Sequence, residues 1–409
     1  MAHWYSQPFE GLSVSLADPR SHYTLLAAVG LSLSVGLFLR ALYPERRLKG
    51  RVLHSPLAAT ADSNNKNAST DHPLPLDVLP GARDVQTPYG SIRVYEWGPE
   101  AGPKVLLVHG ITTPCVSLGG LAHALVDRGC RVMLFDLFGR GYSDCPSDLP
   151  QDERLFASQI FLALGSSSVS WTGSGSGKFC LVGYSLGGGI AASFASFFPQ
   201  LLSSLVLLAP SGLIRDSHIS FRTRLLYSGG LPMEVLRYLS GRRLRAGPLS
   251  TPKAQDKKLH TKDALTEELP SAKGADTQLL SRSYPNVTVP AAVLWQVNNH
   301  SGFVHAFVSS MRYGPILSQR QRESWERLGC YLSKQKTLSA EYQKANGLSS
   351  DKVIIMCGQT DSIIIQSELQ EDAKATLGKD VTFKNFSAGH EFPSTKYDEV
   401  AQVIFDMLL

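Results

Sequence analysis

Residues 179–189 read Phe-Cys-Leu-Val-Gly-Tyr-Ser-Leu-Gly-Gly-Gly, and this stretch decides the fold. The first four residues are an apolar run, as expected of a buried strand, and Gly-x-Ser-x-Gly follows at once. The small residues from Gly189 to Ala195 then predict a closely packed helix. Strand, sharp turn and helix form the context that a nucleophile elbow requires. Gly183 and Gly187 would let strand and helix approach without a Cβ clash, which makes Ser185 a candidate nucleophile.

Further apolar runs of strand length lie on both sides of this stretch. Strands that are apolar along their whole length, alternating with helical segments, indicate a mostly parallel sheet covered on both faces. A hairpin is predicted ahead of them, with strands at 83–87 and 91–97 around Pro-Tyr-Gly. The predicted fold class is therefore α/β. The apolar runs are 104–108, 131–136, 205–209, 352–357 and 381–386.

The alternation stops between residues 215 and 349. This segment contains amphipathic, Arg- and Leu-rich pieces and no clear buried strand. Residues 233–245 and 319–344 have helical spacing. We interpret 215–349 as a cap or lid inserted between strands of the sheet.

The N-terminal region contains a candidate membrane anchor. Residues 23–39 are uncharged and mostly apolar, a little short of the roughly 20 residues that span a bilayer. Extended to residue 43, with Arg40 snorkelling to the interface, the segment is long enough. No small-x-small cleavage site directly follows it, so we predict an uncleaved single-pass anchor rather than a signal peptide. The predicted order is a tail at 1–22, the anchor at 23–43 and a linker at 44–80.

The charges beside this segment predict its orientation. Arg and Lys side chains follow the apolar run within residues 40–51. The positive-inside rule then places the C-terminal bulk in the cytosol, on an endomembrane. Four glycosylation sequons leave a luminal orientation open. They begin at Asn67, Asn286, Asn299 and Asn385.

Two residues that follow later strands complete a possible triad with the elbow serine. His390 comes directly after the last predicted strand and is the candidate base. Asp361 comes after the preceding predicted strand and can reach His390 across neighbouring strand ends, where it would orient the imidazole. Ser–Asp–His is also the chain order expected of this architecture. The alternative acid is Asp216, after the strand that ends at Ala209.

Acyl transfer also needs two backbone amides that face the developing oxyanion. The amide of Leu186 directly follows the nucleophile at a helix N-terminus. The amide of Ile111, after His109 and Gly110, is the expected second donor. We interpret His109 as structural, with its ring bracing this loop.

Composition excludes several other classes of function. The net charge of +5 is mild and lies in local patches, so we expect no nucleic-acid binding. The six cysteines lack the spacing of a disulfide scaffold or a metal site. His300 and His305 lack companion ligands at metal-binding spacing and are read as core or cap histidines. We expect neither a metal nor an organic cofactor.

Jointly, these motifs resemble the α/β-hydrolase superfamily, in its serine-esterase branch. The resemblance covers about residues 81–214 and 350–409, the predicted core. It implies an eight-stranded, mostly parallel sheet with a cap inserted after the sixth strand, where the 215–349 segment falls. The anchor-plus-domain layout looks like that of membrane-bound lipases acting on monoacylglycerols and related esters. The residues that carry the family resemblance are His109-Gly110, Asp136–Asp144, Gly183–Gly187, Gly358 with Asp361, and Gly389-His390.

The function predicted from these residues is hydrolysis of a carboxylic ester, with an acyl-enzyme on Ser185. The anchor and the apolar, arginine-studded cap favour a lipophilic small-molecule substrate. A thioesterase, amidase, peptidase or C–C bond hydrolase would use the same triad. A non-catalytic, membrane-tethered binding protein is the alternative from a different class.

Overall fold

The computed structural model describes residues 19–42, 52–57, 72–173, 177–218, 231–245, 279–339 and 347–409. The chain divides into two units, Met1–Lys49 and Gly50–Leu409. In the first unit, helix α1 spans Pro19–Leu42. The second unit contains every strand that follows.

Helix α1 corrects the prediction of a membrane anchor. No helix within the described residues is both long enough and apolar enough to cross a membrane. The uncharged run from Tyr23 to Leu39 has 17 residues, which is about 26 Å of helix against a hydrocarbon core of about 30 Å. The single-pass transmembrane anchor predicted at residues 23–43 is therefore wrong. The predicted membrane location and cytosolic orientation rested on it and are withdrawn with it.

The second unit is built on an eight-stranded sheet. Its strands are β2 (Arg83–Val85), β3 (Ile92–Trp97), β4 (Lys104–Val108), β5 (Arg131–Phe135), β7 (Phe179–Tyr184), β8 (Leu202–Leu208), β9 (Val353–Gly358) and β10 (Thr382–Phe386). Their order across the sheet is β10-β9-β8-β7-β4-β5-β3-β2. Strands β4, β5, β7, β8, β9 and β10 are parallel. Strand β3 is antiparallel to both of its neighbours, and its pairing with β2 forms the predicted hairpin.

The central strands have no polar face. Every residue of β7 and of β9 is buried, and so are four of the five residues of β4. A strand buried along its whole length needs cover on both sides of the sheet, which explains its continuous apolar sequence. The predicted α/β-hydrolase architecture is confirmed.

Helices of the core form two packed groups around the sheet. In one group, α2 (Gly119–Asp127) packs against α10 (Phe392–Thr395) and α11 (Tyr397–Leu408). In the other group, α4 (Leu186–Phe197) packs against α3 (Glu153–Gly165).

The segment between β8 and β9 interrupts the sheet after its sixth strand, as predicted. Its helices are α5 (Met233–Arg245), α6 (Val289–Asn299), α7 (Phe303–Tyr313) and α8 (Ser318–Lys336). Helices α5, α6 and α7 contact one another, and here we call them the cap helices. Helix α8 instead packs on α4 and on α9 (Gln366–Leu377).

A short ribbon joins the beginning of the second unit to the loop after β5. Strand β1 (Val52–Leu53) pairs antiparallel with β6 (Cys145–Pro146). Asp144 stabilises this contact by accepting hydrogen bonds from the amides of Ser55 at 2.7 Å and Ser91 at 2.9 Å.

Candidate active site

Ser185 lies at a strained turn between β7 and α4. Its backbone has φ 54° and ψ −116°, a conformation that costs a non-glycine residue on the order of 1–3 kcal/mol. The turn is held from the neighbouring strand, because the Ser185 amide donates to the carbonyl of Leu208 at 2.9 Å. In return, the Ser185 carbonyl accepts from the amide of Ser211 at 2.9 Å. The sequence pattern therefore forms a nucleophile elbow.

The elbow glycines are required by close backbone approaches. A Cβ atom on Gly183 would lie 2.1 Å from the carbonyl oxygen of Gly187. A Cβ atom on Gly187 would lie 2.1 Å from the carbonyl oxygen of Val108, at the end of β4. Neither separation is sterically possible, so the pattern Gly-x-Ser-x-Gly follows from packing between β4, β7 and α4.

The three predicted triad residues meet at the carboxyl edge of the sheet. Ser185 follows β7, Asp361 follows β9 and His390 follows β10. The His390 Nε2 atom lies 3.0 Å from Ser185 Oγ, and its Nδ1 atom lies 2.7 Å from Asp361 Oδ2. A carboxylate can only accept, so His390 donates its Nδ1–H to Asp361 and leaves Nε2 to accept from the serine hydroxyl.

The loop that carries Asp361 and the loop that carries His390 are joined through their backbones. The amide of Thr360 donates to the carbonyl of Ala388 at 3.1 Å. A Cβ atom on Gly358 would lie 2.2 Å from the carbonyl oxygen of Gly389, so glycine allows the two loops to touch. This contact places Asp361 beside His390.

His109 orients the peptide group that carries the Ile111 amide. The amide of Leu137 donates to His109 Nε2 at 2.8 Å, so the ring proton is on Nδ1. That Nδ1–H donates to the carbonyl of Gly110 at 2.8 Å. Since the carbonyl of Gly110 and the amide of Ile111 share one planar peptide, the bond also directs the amide.

Burial keeps this histidine neutral. His109 has no exposed surface, and burial, with a smaller contribution from the nearby Arg140 guanidinium, lowers its pKa to about 3. The ring is therefore neutral at neutral pH, and its two hydrogen bonds fix the tautomer. The second predicted donor, Leu186, is the first residue of α4, where amides have no acceptor within the helix.

Other residues singled out in the sequence lie away from this arrangement. The alternative acid Asp216 is in a short 3₁₀ turn, Asp216–His218, after β8. Of the sequon asparagines, Asn286, Asn299 and Asn385 are exposed, and Asn67 lies outside the described residues. These asparagines remain candidate glycosylation sites.

The two cap histidines, His300 and His305, are both buried. His300 Nε2 lies 2.8 Å from the carbonyl oxygen of Ser143, and its Nδ1 accepts from Gly302 at 3.0 Å. Within the described ranges, no group of three or more His, Cys, Asp or Glu side chains could hold a metal ion.

Sequence reasoning missed two buried side chains that contact the Ile111 loop. Arg140 Nε donates to the carbonyl of Ile111 at 3.1 Å, and Gln296 of α6 donates to the carbonyl of Thr112. Both side chains are fully buried. The available signal was a long polar residue amid apolar neighbours, as in the α6 sequence Val-Leu-Trp-Gln-Val.

Comparison with curated proteins finds relatives of moderate similarity. An uncharacterised protein of Mycobacterium tuberculosis is 28% identical over 258 residues, which cover 56% of this chain and 73% of that protein. A serine hydrolase-like protein of Mus musculus is 30% identical over 132 residues, covering 32% of this chain and 40% of the mouse protein.

Solved structures share the fold at low sequence identity. A putative lipase from Acinetobacter baumannii has a TM-score of 0.51 and 16% identity, over 80% of this chain and 90% of the lipase. An esterase from a Rhodococcus species has a TM-score of 0.50 and 15% identity, over 80% of this chain and 98% of the esterase.

The family comparison covers both the elbow and the later triad positions. The model that describes the α/β hydrolase fold matches residues 103–396, a span that contains Ser185, Asp361 and His390. Together with the order of the strands in the sheet and the strained turn at Ser185, this match shows that the chain belongs to the α/β hydrolase family.

Proposed function

We propose that this protein is a serine hydrolase that cleaves carboxylic esters through an acyl-enzyme on Ser185. The observation that carries the proposal is the position of His390, which lies within hydrogen-bond distance of both Ser185 and Asp361. All three residues are at least nine-tenths buried. A hydroxyl, an imidazole and a carboxyl group that contact one another in this order are the parts of a nucleophilic triad.

In the acylation step, Ser185 Oγ attacks the ester carbonyl and its proton moves to His390 Nε2. Asp361 stabilises the resulting imidazolium through the bond to Nδ1. The carbonyl oxygen becomes an oxyanion, which the amides of Ile111 and Leu186 bind. The tetrahedral intermediate collapses when His390 returns the proton to the leaving alcohol.

Deacylation repeats these transfers with water as the nucleophile. His390 takes a proton from water, the hydroxide adds to the acyl carbonyl, and the proton then returns to Ser185 Oγ. The products are a carboxylic acid and an alcohol. The proton of Ser185 leaves with the alcohol and a proton from water replaces it, so the enzyme is regenerated.

Apolar residues that adjoin the proposed catalytic groups in the chain support a lipophilic ester as the substrate. Ile111 and Leu186 carry the two oxyanion amides, and Ile363 and Ile364 follow the acid. A water-poor site strengthens hydrogen bonds to a developing oxyanion and favours apolar groups on the substrate.

Active-site labelling with a fluorophosphonate probe tests the proposal. We expect the wild-type protein to be labelled on Ser185 and to hydrolyse p-nitrophenyl esters, with faster turnover of butyrate and octanoate than of acetate. The Ser185→Ala variant should lose both properties. A folded wild-type protein that is neither labelled nor active on the esters would contradict the proposal, as would full activity of Ser185→Ala.

The same assay separates this function from the other acyl-transfer reactions. Matched thioester and anilide substrates with the same acyl chain are compared by kcat/KM. Higher kcat/KM for the thioester or the anilide would replace the ester assignment and leave the triad assignment intact.

A further inference from the structure

The loop that carries the Ile111 amide is held at three consecutive carbonyl groups. We call residues 110–114 the oxyanion loop. Each of these carbonyls accepts a hydrogen bond from a different side chain, and the three side chains come from different parts of the chain. The bonds are His109 Nδ1 to Gly110 O at 2.8 Å, Arg140 Nε to Ile111 O at 3.1 Å, and Gln296 Nε2 to Thr112 O.

Arg140 connects the oxyanion loop to cap helix α7. Its guanidinium is fully buried and donates from Nε to Ile111 and from Nη2 to Ser310 Oγ at 2.8 Å. Ser310 lies on α7 and is itself fully buried. Its Nη1 donates to two groups of the core, Phe138 O at 2.9 Å and Gln151 Oε1 at 3.4 Å, so the guanidinium bridges the core and α7. Because the guanidinium is planar and rigid, a shift of α7 would pull on the donor that holds the Ile111 carbonyl.

Gln296 connects the oxyanion loop to cap helix α6. Its Nε2 donates to the carbonyl of Thr112, and its Oε1 accepts from the amide of Gly141 at 3.0 Å. The side chain has no exposed surface. Both ends of the carboxamide are therefore bonded to backbone groups of the core, and only its stem belongs to the cap.

Holding these carbonyls also sets the direction of the Ile111 amide. Each peptide group is planar, so the positions of the carbonyls on either side of Ile111 restrict its φ and ψ angles. His109 holds the first carbonyl from within the core. Arg140, which also contacts α7, holds the second, and Gln296 of α6 holds the following carbonyl, that of Thr112, which limits the movement of the peptide next to Ile111.

We propose that Arg140 and Gln296 are positioning residues that make the Ile111 oxyanion donor depend on a docked cap. The cap then sets the rate of the chemical step as well as access to the site. This inference rests on the proposed ester hydrolysis, since it assigns a role to groups around the same oxyanion.

Two substitutions separate this role from ordinary stabilisation. Gln296→Met keeps the length of the side chain and removes both hydrogen bonds to the core. Ser310→Ala is milder and removes the shorter of the two hydrogen bonds from Arg140 Nη2 to α7, leaving the one to Ala306 O at 3.5 Å. If Gln296→Met does not fold, Ser310→Ala carries the test.

The chain offers a matched control for each variant. Gln159 is a fully buried glutamine that also bridges two backbone groups, Phe138 N at 3.1 Å and Asp136 O at 3.0 Å, without contacting the oxyanion loop. Ser309 neighbours Ser310 on α7, is also buried, and accepts from the amide of Gln151 at 3.0 Å. The controls are Gln159→Met and Ser309→Ala.

The measurements are kcat and KM for p-nitrophenyl butyrate, and the inhibition constant of an alkyl trifluoromethyl ketone. This ketone adds Ser185 Oγ to form a hemiketal whose oxygen occupies the oxyanion position. A group that is displaced by about 1 Å can cost about 100-fold in rate. We therefore expect Gln296→Met to lower kcat by roughly 10- to 100-fold and to raise the inhibition constant by a similar factor, with KM changed by less than about threefold.

Ser310→Ala should show the same pattern with a smaller factor, about three- to tenfold. The two controls should keep kcat and the inhibition constant near wild type, even where their thermal midpoints fall. If Gln296→Met and Ser310→Ala match their controls, the inference is wrong. It is also wrong if kcat falls while affinity for the ketone is unchanged.

A failure of the proposed function gives a different result. In that case the wild-type protein neither hydrolyses the ester nor labels on Ser185, and both proposals are overturned together. An active, labelled wild type with unaffected variants overturns only the role of Arg140 and Gln296.

Discussion

His390 Nδ1 lies 2.7 Å from Asp361 Oδ2, and neither side chain has any exposed surface. The second carboxylate oxygen, Asp361 Oδ1, accepts from the amides of Ile363 at 2.9 Å and Ile364 at 2.8 Å. One oxygen therefore fixes the imidazole while the other is fixed by the backbone. Asp361 therefore joins His390 to the backbone of its own loop, and the ring of Tyr184 packs against the His390 ring with the two centroids 5.2 Å apart.

The first prediction concerns this carboxylate. Asp361→Asn should lower kcat by about 10⁴-fold, because an amide NH₂ facing Nδ1 favours the tautomer that cannot accept from Ser185. The measurement is steady-state hydrolysis of p-nitrophenyl butyrate at neutral pH. Asp216→Asn alters the alternative acid and should retain near-wild-type kcat. A strong loss in Asp216→Asn with little loss in Asp361→Asn would reverse the assignment of the acid.

The second prediction concerns strain at the elbow. Ser185→Gly and Ser185→Ala both remove the hydroxyl, but only glycine adopts φ 54° without penalty. We expect the glycine variant to have a free energy of unfolding about 1 kcal/mol larger than that of the alanine variant. Urea unfolding of the two proteins, followed by tryptophan fluorescence, measures the difference. Equal stabilities would show that the turn carries no strain.

The third prediction compares two glycine substitutions. Gly187→Ala places a methyl group against the carbonyl oxygen of Val108. The backbone there cannot move aside, so the substitution should lower the free energy of unfolding by about 3 kcal/mol or prevent folding. Gly165→Ala is the control, since a Cβ atom there meets nothing within 4 Å. Because Gly165 lies in a helix, Gly165→Ala should raise the free energy of unfolding by about 0.5 kcal/mol. Thermal midpoints and soluble yield distinguish the two, and a stable Gly187→Ala protein would contradict the close approach.

The fourth prediction concerns acid stability. Burial lowers the pKa of His300 to about 4 and that of His109 to about 3, whereas an unfolded histidine titrates near 6.5. Between those values the unfolded state binds more protons, so the free energy of unfolding falls as pH drops from about 6.5 to about 4. Above pH 7 this destabilisation is absent, because both states are neutral.

Urea midpoints measured between pH 7.5 and about pH 4.5 test this dependence. His300→Gln should reduce the number of protons taken up on unfolding by about one, although it lowers stability at pH 7.5 through lost hydrogen bonds. An unchanged proton uptake in His300→Gln would show that His300 titrates normally in the folded protein.

The sequence predicted the sheet because its central strands are buried on both faces. In β4 and β7 the buried residues form an apolar run, which can be recognised from the local sequence. The ribbon of β1 and β6 was missed, since each strand has two residues and its partner lies more than ninety positions away. Local composition carries no information about such a pairing.

Some residues of the candidate site could be predicted from the sequence and others could not. The structure brings Ser185, Asp361 and His390 together, as chain order and strand position predicted, and their catalytic roles stay predictions. Arg140 and Gln296 act through contacts 29 and 184 residues distant in sequence, which no spacing rule encodes. The prediction of an anchor at 23–43 was wrong because it rested on an apolar run that was extended past Arg40.

The insertion between β8 and β9 has a consequence for synthesis on the ribosome. The elbow serine and its base are 205 residues apart, which at about 5–20 residues per second is roughly 10 to 40 seconds of translation. In that interval the nascent chain can complete its first six sheet strands, but His390, which we propose as the base that activates Ser185, has not yet been made. Until β9 is made, β8 is an open edge of the sheet, and an open edge can pair with the wrong strand or with another chain.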